Sequence, residues 1–227
     1  MLLESLYHKL EKALEKNAIQ ENAFWMKKYM RNQFDYYGIK SPVRKEIVKL
    51  IFENYQLHDK DEFLAFVERC WSHEKREFKY VALDLSFRFS KKMDPGFIAP
   101  FESLIARESW WDTVDGIAPG IIGSIVKRNL ELRDEYCNRW IESDNFWYQR
   151  SAIILQLKFG NLTDFECLQK LILIRADSKE FFVQKASGWA LRQYSKTHPD
   201  LVKNFIRNHK ISALAAREGM KIILKST

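Results

Sequence analysis

The stretch Ser143-Asp-Asn-Phe-Trp-Tyr-Gln-Arg150 is echoed by Ser178-Lys-Glu-Phe-Phe-Val-Gln-Lys185, and the cations that end the two stretches stand thirty-five residues apart. One step of thirty-five back from Arg150 lands on Asp115, and further steps of thirty-six and thirty-five reach Lys79 and Arg44. Forward of Lys185, a step of thirty-six reaches Lys221. Three residues after each of these six rungs sits an apolar or small residue: Ile47, Ala82, Ala118, Ile153, Gly188 and Leu224. Four residues before the third, fourth and fifth rungs sit Trp111, Phe146 and Phe181. Self-similarity at a fixed step of this size marks a repeat architecture, in which each unit buries its apolar face against its neighbours.

About 35 residues hold two helices and a turn. Helical periodicity runs from end to end, beginning with Leu2, Leu3, Leu6, Leu10, Ala13 and Leu14 at spacings of three and four. Ser41-Pro42 reads as a helix start with a capping hydroxyl, and Asp94-Pro95, Asn161 to Asp164 and His198-Pro199-Asp200 punctuate later segments. Twelve or thirteen helices are expected, with no competing strand pattern. The tetratricopeptide and ankyrin signatures are missing. The expected fold is all-α: an α-solenoid of about six HEAT-like helix-pair repeats with a concave basic groove. No Gly/Ser linker interrupts it, so residues 1–227 are expected to form a single domain.

Composition agrees. The 227 residues include only 8 Gly and 5 Pro, which disfavours a many-turned β-sandwich and a disordered chain. Cys70, Cys137 and Cys167 are an odd, dispersed set with no C-x-x-C, so neither a disulfide framework nor a zinc knuckle is expected. His8, His58, His73, His198 and His209 lack ligand spacing, and no metal or cofactor is expected. No signal peptide and no membrane span are read, which points to a soluble cytoplasmic protein. A net charge of +7 with 14% aromatic residues leans toward a polyanionic partner.

The ladder reads Arg44, Lys79, Asp115, Arg150, Lys185, Lys221: five cations and one acid. A basic row at repeat spacing suits a groove that follows phosphates, and six repeats at helix-packing distance span roughly 50 Å. The bland alternative is a solvated helix edge. The acid has aromatic company: Trp111 lies one helical turn before it, and Trp189 lies four residues after the Lys185 rung. Of the adjacent Trp110 and Trp111, one is expected to be buried and Trp111 displayed. A carboxylate among indoles in a basic groove repels phosphate but stabilises a cation. Such cations include a nucleoside with a positively charged base and the oxocarbenium sugar formed as its glycosidic bond breaks. At ~4 Å and an effective dielectric of 20 the interaction is about 4 kcal/mol, roughly three powers of ten in rate. Asp112 and Asp115 lie too close together on one helix for a two-carboxylate sugar hydrolase. Gly116, Gly120 and Gly123 around Pro119 read as close helix packing with a proline kink, not as a phosphate loop.

The segments Ser109-Trp-Trp-Asp-Thr-Val-Asp115, Ser143 to Arg150 and Ser178 to Trp189 strongly resemble the HEAT-like-repeat alkylpurine DNA glycosylases, the AlkD family. Lys28-Tyr29-Met30-Arg31 and Gly38-Ile-Lys40-Ser-Pro42 resemble that family's opening helices. The resemblance implies a monofunctional, metal-free glycosylase that removes cationic N3- and N7-alkylpurines from duplex DNA without flipping the base. By the same resemblance, Trp111 and Trp189 would flank the deoxyribose. Asp115 would stabilise the oxocarbenium ion and position water, and Arg150 would grip the adjacent backbone and keep Asp115 ionised. Lys185 and Lys221 are DNA contacts by ladder position alone, with Arg44, Lys79, Lys40 and Tyr29 completing the DNA-contacting set. The partner is double-stranded DNA, with no obligate protein partner and a monomer expected. The alternative is a solenoid that holds damaged, bent or branched DNA without chemistry.

Overall fold

A computed structural model describes residues 2–225. Among these residues the chain is all-helical, with fourteen α-helices joined by short 3-10 and π segments, and its only β feature is the isolated Asp35–Lys75 bridge. Two compact units are present, the first ending at Lys92 and the second beginning at Met93. None of the described helices is long and apolar enough to cross a membrane.

The first unit holds α1 (Leu2–Lys16), α2 (Gln20–Tyr29), α3 (Ser41–Ile51), α4 (Lys60–Ser72) and α5 (Arg76–Phe89). Helix α1 packs on α3 and α4, and α5 packs on both of those. Their apolar faces supply Leu10, Leu14, Phe52, Phe63 and Phe78, all with no solvent exposure. Pro42 does open α3, but the N-cap is Lys40 rather than Ser41. The Ser41 hydroxyl instead lies within 3.5 Å of Arg44 Nη2, so the side chain read as a cap serves the first rung.

The second unit holds α6 (Ile98–Ile105), α7 (Trp111–Gly116), α8 (Gly123–Val126), α9 (Arg133–Ile141), α10 (Phe146–Ile154), α11 (Phe165–Ile174), α12 (Phe181–Tyr194), α13 (Pro199–Asn208) and α14 (Ala213–Met220). Helices α7, α10, α12 and α14 pack in succession as one layer, and α9 and α11 pack together behind α10. The rungs Asp115, Arg150 and Lys185 lie on consecutive helices of the first layer, and Lys221 is the C-cap of the fourth. Arg44 and Lys79 occupy the corresponding places on α3 and α5.

The repeat is visible in individual hydrogen bonds. Gln149 Nε2 donates to the Ser143 carbonyl at 2.7 Å, and Gln184 Nε2 donates to the Ser178 carbonyl at 2.8 Å. The Ser143 and Ser178 hydroxyls in turn accept from the amides two residues on, Asn145 and Glu180. Each S-x-x-F-x-x-Q-[R/K] stretch thus uses its Ser and Gln to hold the turn that launches a rung-bearing helix, satisfying backbone groups that the helix start leaves open.

Between α7 and α8 the helix widens into a π segment, Ile117–Ile122, with Pro119 inside it. Proline has no N–H to give an α-helical partner, and the π register accommodates that missing bond. All six residues of the segment are buried. Gly123 follows at a close crossing, where a Cβ would lie 2.7 Å from the Leu155 carbonyl. Gly188 lets α12 and α14 approach closely: a Cβ there would meet Glu218 Cβ at 2.5 Å and the Ala215 carbonyl at 3.0 Å. Gly188→Ala is therefore expected to push these helices apart and lower stability by about 1–3 kcal/mol, read as a lower midpoint of urea unfolding with an unchanged slope.

Candidate active site

The carboxylate of Asp115 on α7 meets the guanidinium of Arg150 on α10 in a two-pronged pair: Nε to Oδ1 at 2.8 Å and Nη2 to Oδ2 at 2.8 Å. This planar, charge-assisted geometry is the one Arg makes best. Both side chains are largely withdrawn from water, at 17% exposure for Asp115 and 5% for Arg150. The third prong of the guanidinium, Nη1, donates to the Phe182 carbonyl on α12 at 2.6 Å. One arginine therefore links three successive helices, and two of its five N–H donors lie outside these contacts.

Burial raises the Asp115 carboxyl above its ordinary value, and the opposing hydrogen bond and charge of Arg150 reduce that rise without cancelling it. Arg150 thus acts in the expected direction, against a burial effect that is larger. Desolvation is the larger effect, because removing a carboxylate from water costs several kcal/mol and a single partner recovers only part of it.

An aromatic cluster stands behind the pair. Phe182 lies at its centre, 4.9 Å from Trp147, 5.1 Å from Trp110 and 5.3 Å from Phe181 between ring centroids. Trp110 also packs on Trp147 at 5.9 Å. The expected division of the tryptophan pair into one buried and one displayed ring does not hold, since Trp110 and Trp111 are both half-buried. Trp110 is the N-cap of α7, with extended backbone, so helical spacing does not govern the angle between the two side chains. Trp110 turns into the cluster and Trp111 opens the helix one turn before Asp115. Trp189 is half-buried on α12, four residues beyond Lys185.

The cations expected to line a phosphate-tracking groove are unequally exposed. Arg44 is 8% exposed, pairs with Asp84 at 3.0 Å and lies over the Tyr80 ring. Lys79 is 1% exposed, and its Nζ donates to the His73 carbonyl at 2.6 Å. Lys185 and Lys221 are more open, at 38% and 48%, yet both hold Glu218, as does Arg192. Tyr29 at the end of α2 and Lys40 at the start of α3 are exposed. Trp110, Trp147, Phe182, Asp84 and Glu218 were not legible as parts of these arrangements. Glu218 left one trace, its place three residues before the Lys221 rung. Among the described residues no cluster of His, Cys, Asp and Glu could hold a metal ion.

The profile of a family described as DNA alkylation repair enzyme matches residues 10–223. The chain belongs to this family. Among solved structures, a predicted DNA alkylation repair enzyme from Enterococcus faecalis is 33% identical, covering 92% of this chain and 97% of that one, with a TM-score of 0.86. AlkD2 from Streptococcus mutans is 19% identical over 86% of this chain and 98% of that one, with a TM-score of 0.62. The protein smu.31 from Streptococcus mutans UA159 is 17% identical over 89% and 97%, with a TM-score of 0.60. The last two likenesses establish the fold. No curated protein matches the chain at a significant level. Helix-pair repeat proteins draw stability from each repeat and from its interfaces with its neighbours.

Glu218 gives a direct stability test within that framework. Its hydrogen bond from Lys221 is the largest influence; together with Lys185 it outweighs the cost of burial and brings the carboxyl down to about 2 from 4.5. A lowered folded-state value means the stabilisation is complete above pH 4.5 and is lost as pH falls toward 2. Glu218→Gln is expected to cost roughly 2 kcal/mol at neutral pH. Its thermal midpoint, followed by circular dichroism, should converge on that of the wild type as both are acidified through this window.

Proposed function

We propose that this member of the DNA alkylation repair family is a monofunctional glycosylase, hydrolysing the N-glycosidic bond of cationic N3- and N7-alkylated purines in duplex DNA without base flipping. The observation that carries the reading is the Asp115–Arg150 pair: a carboxylate held ionised by a guanidinium in surroundings that disfavour its charge. A positive sugar arriving at such a carboxylate is stabilised more than it would be in water, because the acceptor is already oriented and poorly hydrated. In this reading Asp115 faces the developing charge at C1′ and orients the attacking water, while Trp111 and Trp189 flank the deoxyribose with their ring faces. Arg150 fixes the carboxylate and offers its remaining N–H donors to the adjacent phosphate. Lys221, Lys40 and Tyr29 contribute DNA contacts from exposed positions, and Lys185 from a half-buried one. Arg44 and Lys79 support the first unit from within, and residues 1–227 act as one module.

The deciding assay uses duplex DNA carrying a single 7-methylguanine, scored for free base and then for alkali-labile breaks. Asp115→Asn is expected to reduce release on the order of 10³-fold while leaving duplex affinity unchanged. Release by the wild type no faster than the spontaneous rate, with affinity intact, marks a DNA-holding module instead. Affinity should drop steeply between about 50 and about 200 mM salt if phosphates are contacted.

The pH profile gives an independent check. Ionised Asp115 is the active form, so the rate falls as pH drops through its folded-state value, which lies above the ordinary 3.8. Arg150→Lys keeps a positive charge but loses the two-pronged geometry, so the acid limb should move to higher pH. An unmoved limb would show that Asp115 is not the titrating group.

A further inference from the structure

A single buried acid gathers three cations beside Trp189. Glu218 on α14 is 4% exposed, and its Oε1 accepts from Lys185 Nζ of α12 at 3.0 Å and from Lys221 Nζ at 2.6 Å. Its Oε2 accepts from Arg192 Nη1 of α12 at 2.6 Å. Among the described residues none of the three cations pairs with a second acid, so the cluster keeps a surplus of positive charge. One carboxylate cannot use all the donors around it, since each ammonium has three and the guanidinium five. Lys185 and Arg192 are half-buried and Lys221 is exposed, so all three side chains reach solvent.

The backbone makes room for this arrangement. A Cβ at Gly188 would lie 2.5 Å from Glu218 Cβ, so a bare α-carbon lets the acid come against α12 at that height. Lys185 lies three residues before Gly188, Trp189 one residue after it and Arg192 four residues after it. Lys185, Trp189 and Arg192 therefore follow the i, i+4, i+7 pattern of one helical face. At 1.5 Å of rise per residue, the two cations stand about 6 Å and about 4.5 Å along the axis on either side of the indole. The carboxylate divides its partners, taking the two lysines on one oxygen and the arginine on the other.

We propose that Lys185, Lys221 and Arg192 clamp the two backbone phosphates that bracket the nucleotide at Trp189, and that Glu218 is the positioning residue that sets the clamp. The inference rests on the reading above in which Trp189 lies against a deoxyribose of duplex DNA. A sugar held on the indole has one phosphate on each side of it. Lys185, with Lys221 beside it, meets one of them, and Arg192 meets the other. Each phosphate so neutralised releases condensed counterions. Glu218 by itself repels phosphate, yet without it the three like charges would push one another apart. Its negative charge favours an anion at one remove, through the cations it aligns.

The test is binding of the full chain to a duplex carrying one tetrahydrofuran abasic nucleotide, followed by fluorescence anisotropy over a range of salt, with circular dichroism confirming that each variant is folded. Arg192→Gln should weaken binding on the order of ten-fold and lower the slope of log affinity against log salt by about one. Glu218→Gln adds a positive charge to the protein, so a purely electrostatic role predicts tighter binding. Loss of alignment predicts the opposite, weaker binding by on the order of five- to ten-fold. In a chain already carrying Arg192→Gln and Lys221→Gln, the Glu218→Gln penalty should shrink toward nothing, which a general loss of stability would not produce. A neutral methylphosphonate at the matching phosphate should likewise abolish the Arg192→Gln penalty. Binding by Glu218→Gln as tight as the wild type or tighter, or an unchanged salt slope for Arg192→Gln, would overturn the clamp even where the wild type releases base. No binding of the duplex by the wild type at low salt overturns it as well. Penalties that persist in a protein unable to release 7-methylguanine would support the clamp and remove the glycosylase reading instead.

Discussion

A buried carboxylate needs a cation, and in this chain the cation comes from the next helix. Left alone in its surroundings, Asp115 would take up a proton or leave a costly uncompensated charge. Arg150 prevents both outcomes, but only if α10 is seated so that two guanidinium nitrogens reach the two carboxylate oxygens. The same arginine needs the Phe182 carbonyl for its third prong, so α12 must be in place as well. The device recurs with other partners: Lys185 of α12 reaches Glu218 of α14, and in the first unit Arg44 of α3 reaches Asp84 of α5. Cross-helix ion pairs of this kind align neighbouring helices where apolar packing alone would tolerate sliding.

This reliance on pairing explains what could be read in advance. The step of about thirty-five residues was legible because two consecutive repeats launch their inner helices with the same serine and glutamine, Ser143/Gln149 and Ser178/Gln184. Helical content and the rung positions followed from that period. The burial of the rungs did not. Lysine and arginine are usually solvated, so Lys79 and Arg44 read as surface, and the groups that bury them lie off the ladder with no period of their own. Trp110 escaped for a related reason. Spacing rules describe side chains inside a helix, and this ring leaves the chain one residue before the helix begins.

Two features meet in the Asp115 side chain. Asp115 is poorly hydrated, which makes its charge costly, and doubly hydrogen-bonded, which fixes its direction. A carboxylate in water carries a full solvent shell, whereas this one is oriented by Arg150 and poorly hydrated. The aromatic rings of Trp110, Trp147 and Phe182 contribute by holding the backbone carbonyl that steadies the guanidinium. They act on the carboxylate at one remove.

The π segment after α7 has a geometric effect that reaches both of its ends. In an uninterrupted α-helix each residue turns the chain by about 100°, so the heading of Asp115 would dictate the heading of Gly123, eight residues on. Widening the coil at Ile117–Ile122 breaks that link. The turn before it is free to aim its acid at Arg150, while the turn after it presents a bare α-carbon to the Leu155 carbonyl. Proline at position 119 works like a universal joint in a drive shaft, letting the two ends of one rod keep different headings.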